Sequence, residues 1–119
     1  MITVDLFRAE DTEIVSFGAG QTIFREGDAG DLMYVVQDGE VDLRVKGKLV
    51  EALGPGGVLG EMALIEHAPR SATATAKTDC SLVPIPEKRF IFMVQHTPHF
   101  ALQIMKVMAE RLRRMDERL

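Results

Sequence analysis

The chain up to Ile85 consists of short apolar runs separated by turns rich in glycine and aspartate. Runs of this length and spacing are typical of strands in β-barrels and jelly rolls. The pair Asp38-Gly39 predicts a hairpin, because both residue types tolerate the positive φ of a tight turn, and residues 46–48 predict another. The pattern predicts strands at residues 14–17, 22–24, 32–37, 41–45, 49–52, 71–76 and 80–85. This part of the chain is therefore expected to be mainly β.

After Ile85 the pattern changes to helical periodicity. Pro86 suits the first turn of a helix that runs to about residue 95, and Thr97 followed by Pro98 suits the start of a longer helix to about residue 119. The longer helix has apolar residues at steps of three and four, namely Phe100, Ala101, Ile104, Val107, Met108, Leu112, Met115 and Leu119. This stripe is longer than one small barrel can cover, so the C-terminal half of the helix is free for another use.

The composition limits the class of protein. A length of 119 residues with 46% hydrophobic content suits one compact domain over residues 1–119. The net charge of -4 argues against a nucleic-acid surface, which needs a clustered basic face, so direct DNA binding is not expected. Cys80 is the single cysteine, and no apolar run reaches the length of a membrane span. A cytoplasmic location is the resulting expectation.

Residues 60–74, GEMALIEHAPRSATA, combine the features of an anion-binding site. The first turn of a helix over Glu61, Met62 and Ala63 would present unpaired backbone N–H groups and the positive end of the helix dipole. Gly60 would let an anion approach closely. Arg70 adds a planar charged fork that matches phosphate oxygens, and Ser71 adds a hydroxyl donor.

The carboxylate of Glu61 changes this picture, because two like charges in a sheltered site repel. Glu61 must therefore face a donor, and a sugar hydroxyl is the natural donor beside a phosphate. The residues alone predict a small sugar phosphate as the ligand.

The motif L-G-E-M-A-L at residues 59–64, followed by P-R-S-A-T at residues 69–73, resembles the phosphate-binding cassette of cyclic nucleotide-binding domains. The family includes the catabolite activator proteins and bacterial cyclic nucleotide-gated channels. Here Leu59 replaces the usual leading aromatic residue. An E-G-D-x-G-D turn at residues 26–31 is similar to the family as well, which extends the likeness from about Phe17 to the last helix. We interpret that turn as structural rather than as a ligand contact.

The resemblance implies an eight-stranded jelly-roll β-barrel over about residues 13–85, with a short cassette helix and C-terminal helices over about residues 86–118. It also implies ligand contacts. Gly60 and Ala63 would donate to the cyclic phosphate, Glu61 would accept from the ribose 2′-hydroxyl, Arg70 would hold the exocyclic phosphate oxygen, and Ser71 would assist near the purine.

The purine contacts are less defined. Candidates are Val41, Val45, Leu59 and Met62, each of which also suits the core. In some channel members of the family an arginine of the last helix stacks on the base, and Arg111 stands at the matching position. A solvated surface arginine is the alternative for Arg111. The last helix would cover the purine as a lid, or also pair with its twin in a homodimer.

Other chemistry finds little support in the sequence. The three histidines do not form a metal-ligand pattern, since His96 and His99 flank a predicted helix boundary, and no catalytic cofactor is expected. Cys80 lacks an obvious histidine partner and suits a small buried residue better than a nucleophile. The sequence therefore predicts no enzyme activity.

The function that follows is a cyclic nucleotide sensor that passes ligand binding to its C-terminal helices and on to a downstream protein or fused effector domain. Cyclic AMP is favoured over cyclic GMP as the ligand, although Ser71 decides little between them. The alternative is a degenerate scaffold that keeps the fold for dimerisation without binding nucleotide. Because the chain stops at Leu119, no helix-turn-helix is expected, and residues 3–12 are expected to hold only a fragment of the helical lead common in the family.

Overall fold

The computed structural model describes residues 13–117, and the side chains of residues 115–117 lie outside that description. Eight strands precede or flank one short helix, and two longer helices follow them. The elements are β1 (Val15–Phe17), β2 (Thr22–Phe24), β3 (Leu32–Asp38), β4 (Val41–Val45), β5 (Lys48–Leu53), β6 (Val58–Leu59), α1 (Glu61–Glu66), β7 (Thr73–Ala76), β8 (Cys80–Pro86), α2 (Glu87–His96) and α3 (Pro98–Glu117). The helical lead expected at residues 3–12 lies outside the described residues.

The strands form two four-stranded antiparallel sheets, in the orders β1-β8-β3-β6 and β2-β7-β4-β5. The mainly β architecture with a short helix and C-terminal helices is thereby confirmed. The pattern of the sequence missed β6, because a two-residue strand is too short to show alternation.

Of the two predicted hairpins, the one at residues 46–48 forms and the one at Asp38-Gly39 does not. Gly39 has the positive φ of a turn, 84°, but the strands on either side of it, β3 and β4, lie in different sheets, so this turn carries the chain from one sheet to the other. A Cβ on Gly39 would lie 2.6 Å from the Cβ of Cys80. Lys46 and Gly47, with φ of 51° and 81°, connect β4 to β5. Positive φ at both positions matches the twist of a two-residue hairpin.

Pro86 does not occupy the first turn of a helix as predicted. It ends β8 opposite Leu32 and forms the extended N-cap of α2, with φ of -75° and ψ of 163°. A proline suits this position because the strand ends there and a missing N–H costs nothing. Thr97 closes α2 through its amide, which donates to Met93, and its carbonyl accepts from Phe100 in α3.

The core has three layers, because β3 and β8 bury side chains on both faces. Along β3, Met33 and Val35 face the helices, whereas Tyr34 and Val36 face the second sheet. This is the two-residue period of a strand covered on both sides. The helix-side cluster contains Met33, Val35, Val58, Leu64, Val83, Ile85, Met93, Phe100, Ile104 and Val107.

The apolar stripe of α3 divides as the sequence suggested. Phe100, Ile104 and Val107 are buried against the sheet. On the opposite face of α3, Leu112 is 63% exposed, and Leu102 and Met105 are exposed to a similar degree. The N-terminal half of α3 therefore fixes the helix against the sheet that contains β3 and β8, and part of its apolar surface has no cover in the described chain.

Two further features are found within residues 13–117. Cys80 is buried, and burial raises the pKa of its thiol, as for a structural cysteine. No helix there is both long and apolar enough to cross a membrane, and no group of three potential metal ligands occurs there.

Candidate functional site

The short helix α1 begins at a glycine for a steric reason. Gly60 has φ of 81° and ψ of 8°, and a Cβ on it would lie 2.5 Å from Nη1 of Arg70. No side chain caps the helix at this end. Because Glu61 and Ala63 are buried and Met62 is half-buried, the start of α1 is held in the interior beside Arg70.

Arg70 is a buried cation held by backbone carbonyls. The residue is only 7% exposed, and its Nη1 donates to the carbonyl of Leu32 at 2.8 Å and to that of Gly60 at 3.4 Å. Its Nε has no hydrogen-bond partner in residues 13–117. Burial lowers the pKa of Arg70, and Tyr34 and Asp31 oppose that change. Since arginine starts far above neutral pH, it keeps its charge.

The turn between β2 and β3 wraps around this arginine. The amide of Arg70 donates to the carbonyl of Asp28 at 2.8 Å, and the amide of Gly27 donates to the carbonyl of Arg70 at 2.8 Å. Within the same turn, a Cβ on Gly30 would lie 2.5 Å from Cζ of Arg70. The E-G-D-x-G-D turn was interpreted as structural. Its contacts show that it packs around the backbone and the guanidinium of Arg70.

Phe24 also contacts Arg70, with its ring centroid 4.1 Å from Cζ. Sequence reasoning did not identify Phe24 or Gly30 as parts of this site. Phe24 is apolar on a strand, and Gly30 lies in a glycine turn, so each had a sufficient explanation without a site. Only the long-range packing of β2 and its following turn against Arg70 places them there.

Glu61 is buried, at 4% exposure, and forms an ion pair with Nη1 of Arg111. Nε of Arg111 donates to Oε1 of Glu51 at 2.9 Å, and its Nη2 donates to the carbonyl of Val58. Arg114 contacts the other oxygen of Glu51 at 3.4 Å. Burial would lower the pKa of Arg111, but Glu61 and Glu51 outweigh it and raise the pKa.

The two interpretations of Arg111 were a base contact and a solvated surface arginine. In this structure the side chain is neither at the surface nor free, since it joins α3 to β5, β6 and the start of α1. The sequence analysis did not single out Glu51. A carboxylate within a predicted strand gave no signal that an arginine sixty residues later would contact it.

The other predicted site residues differ in accessibility. Leu59 and Val41 are fully buried in the core between the sheets. Val45 and Met62 are half-buried, and Ser71 is exposed next to Arg70. The structure therefore leaves Val45, Met62 and Ser71 with surface that a ligand could reach.

A cavity of about 160 Å³ lies between α3 and the strands β5 and β6, lined by Glu51, Gly57, Val58, Val107 and Arg111 among others. Ligand cavities usually measure roughly 300–1,000 Å³. This cavity is thus too small for a drug-sized ligand while α3 is docked. A larger open cavity of about 340 Å³, lined by Ser16, Asp38 and Asp79 among others, includes none of the predicted site residues.

Known proteins resemble this chain in sequence and in fold. A cAMP-dependent protein kinase regulatory subunit of Eremothecium gossypii is 48% identical over 63 residues, which are 53% of this chain and 14% of the relative. The catabolite activator protein of Thermus thermophilus superposes with a TM-score of 0.81 and 30% identity, over 92% of this chain and 54% of that protein. A cAMP-bound PfPKA-R fragment superposes with a TM-score of 0.76 and 26% identity, over 88% of this chain and 36% of that one.

These proteins are all longer than the matched region, so the chain spans about a seventh to about half of their length. The sequence profile described as the cyclic nucleotide-binding domain matches residues 14–97, which include the strands β1 to β8 and the helices α1 and α2. The resemblance inferred from the cassette is confirmed: the chain belongs to the cyclic nucleotide-binding domain family.

Proposed function

We propose that this chain is a sensor that binds a cyclic nucleotide, without an enzyme activity of its own. One observation carries the proposal: buried Arg70, with an unpaired Nε among the described residues, lies against Gly60 at the start of α1. A permanently charged donor held in the interior suits an anionic ligand. Buried Glu61 supplies an acceptor next to it, which suits a sugar hydroxyl.

The proposed contacts follow from these positions. Gly60 and Ala63 would donate backbone N–H groups to the cyclic phosphate, Arg70 would hold its exocyclic oxygen, and Glu61 would accept from the ribose. Leu59, Val45, Met62 and Ser71 keep their proposed places near the purine, with Leu59 acting from the core side.

Cyclic AMP is the proposed ligand in preference to cyclic GMP. The related PfPKA-R fragment is bound to cAMP, and the Eremothecium gossypii relative is the regulatory subunit of a cAMP-dependent protein kinase. Ser71 follows the cassette arginine and is exposed, so it stays available to either purine.

Titration calorimetry with purified protein tests this function directly. We expect cAMP to bind with micromolar or tighter affinity and more tightly than cGMP, and chromatography should recover the nucleotide unchanged. Non-cyclic 5′-AMP is the control for the cyclic phosphate. Binding to neither cyclic nucleotide would contradict the sensor and favour the degenerate scaffold, which is disfavoured here because Glu61 and Arg70 are both in place.

We further propose that α3 transmits the binding event. Arg111 occupies the carboxylate of Glu61 that the ribose is proposed to use, and the adjacent cavity is small. A ligand whose ribose binds Glu61 must therefore displace Arg111 from that carboxylate. The released guanidinium would then be free to stack on the purine, as the resemblance implies. Because Arg111 joins α3 to the strands, this exchange changes the free energy of docking α3.

A homodimer through α3 is proposed for the exposed apolar residues. Leu102, Met105 and Leu112 are each more than half exposed and recur at steps of three and seven, as in a coiled-coil seam. We expect Leu112→Glu to shift sedimentation velocity profiles toward monomer, whereas Arg113→Glu, on the same exposed turn, should not. A wild-type protein that sediments as a monomer at high concentration would contradict the dimer.

Four broader expectations are part of the same proposal. They are closure of the two sheets into an eight-stranded jelly-roll barrel, a single domain over residues 1–119, a cytoplasmic location and a downstream protein or fused effector domain that receives the signal. Each stays a prediction.

A further inference from the structure

The guanidinium of Arg70 lies in a slot formed by two residues from outside the cassette and one from within it. Its Cζ lies over the ring of Phe24, 4.1 Å from the ring centroid. One side of the slot is Gly30, where a Cβ would lie 2.5 Å from Cζ and 2.9 Å from Cδ. The other side is Gly60 of the cassette, where a Cβ would lie 2.5 Å from Nη1.

The slot is rigid on the side of the ring. Phe24 is buried and stacks on Tyr34, with ring centroids 6.3 Å apart and an angle of 25° between the planes. A cation over an aromatic face is held more strongly when both groups are removed from water, which is the case here. The ring therefore restrains Arg70 before any ligand arrives.

The glycine acts by leaving space. Gly30 is not among the residues with positive φ in the described part of the chain, so its backbone does not require glycine. Its small size is instead needed by Arg70, because a methyl group would occupy the position of the guanidinium. An alanine at this position is compatible with the backbone but would force the guanidinium out of its present position.

The hydrogen bonds show which part of Arg70 is left over. Nη1 is used by the carbonyls of Leu32 and Gly60, whereas Nε has no partner in residues 13–117. A buried N–H group without a partner is costly, so a ligand oxygen that reaches it gains more than it would at an exposed arginine.

We propose that Phe24 and Gly30 are positioning residues that hold the guanidinium of Arg70 ready for the phosphate of the ligand. This inference rests on the proposed function. It assigns to β2 and its following turn a share in ligand affinity, although neither residue belongs to the cassette.

The affinity test compares Phe24→Leu and Gly30→Ala with the wild type by calorimetry with cAMP. We expect each to weaken binding about tenfold, within the range that a lost cation–π contact or a displaced arginine produces. Phe24→Tyr restores the ring face and should bind like the wild type. Phe17→Leu is the matched control, because Phe17 packs against the same core cluster from β1 and should change affinity less than about twofold.

A ligand-free test makes the proposal independent of binding strength. The Nε–H signal of Arg70, assigned by its absence in Arg70→Ala, should exchange slowly with water in the wild type and in Phe17→Leu. It should exchange rapidly in Phe24→Leu and Gly30→Ala, which release the guanidinium. A folded Phe24→Leu variant with slow exchange and unchanged affinity would overturn the inference.

The proposed function and the positioning role of Phe24 and Gly30 can be contradicted separately. A wild-type protein that binds neither cyclic nucleotide contradicts the proposed function whatever the exchange data show. A wild type that binds cAMP, with Phe24→Leu and Gly30→Ala no weaker than Phe17→Leu, contradicts only the positioning role.

Discussion

Replacing Arg70 with alanine is expected to weaken cAMP binding by about 1.5 to 3 kcal/mol, which corresponds to roughly 10- to 150-fold, the usual value of a hydrogen bond to a charged group. The reason is that Arg70 is the one buried cation beside Gly60 in the described chain, and it is held in place before the ligand binds. Titration calorimetry measures the change.

Two controls define this result. Arg70→Lys keeps the charge but loses the planar fork, so it should recover only part of the affinity. Arg25→Ala removes an exposed arginine from the same turn region and should leave affinity unchanged. If Arg70→Ala binds as tightly as Arg25→Ala, while both have wild-type unfolding midpoints, the phosphate role of Arg70 is wrong.

Replacing Arg111 with alanine is expected to destabilise the ligand-free protein by about 3 kcal/mol, the lower end of the cost of breaking a buried ion pair. Glu61 would be left at 4% exposure without the cation that contacts it, and Glu51 would keep only the longer contact to Arg114. Urea unfolding without nucleotide measures this difference.

Arg113→Ala is the matched control, because Arg113 is exposed on the same helix two residues away. Hydrogen exchange of α3 adds the functional measurement. Nucleotide should change protection of α3 in the wild type and in Arg113→Ala, and should change it less in Arg111→Ala, in which no arginine links α3 to Glu61. Equal stability and equal exchange responses in the two variants would contradict transmission through Arg111.

The strands and helices could be predicted because their signals are local. Apolar runs between turn residues predicted seven of the eight strands, and positive φ at Gly39 and Lys46 followed from turn chemistry. The steps of three and four along residues 98–117 predicted α3. Three features were missed. β6 is too short to show a period, Pro86 suits both a strand end and a helix start, and the turn at Gly39 joins strands of different sheets, which turn residues alone do not reveal.

The candidate site could be predicted only as far as its own motif extends. By itself the sequence determined the composition of the cassette, a charged fork and a carboxylate near a glycine, and hence the family and the proposed class of ligand, because these residues are close along the chain. The tertiary structure decided their partners. Phe24 and Gly30 meet Arg70 through packing across about forty residues, and Arg111 meets Glu61 through the docking of α3 fifty residues later. Contacts of that range depend on how sheets and helices pack, which no local pattern encodes.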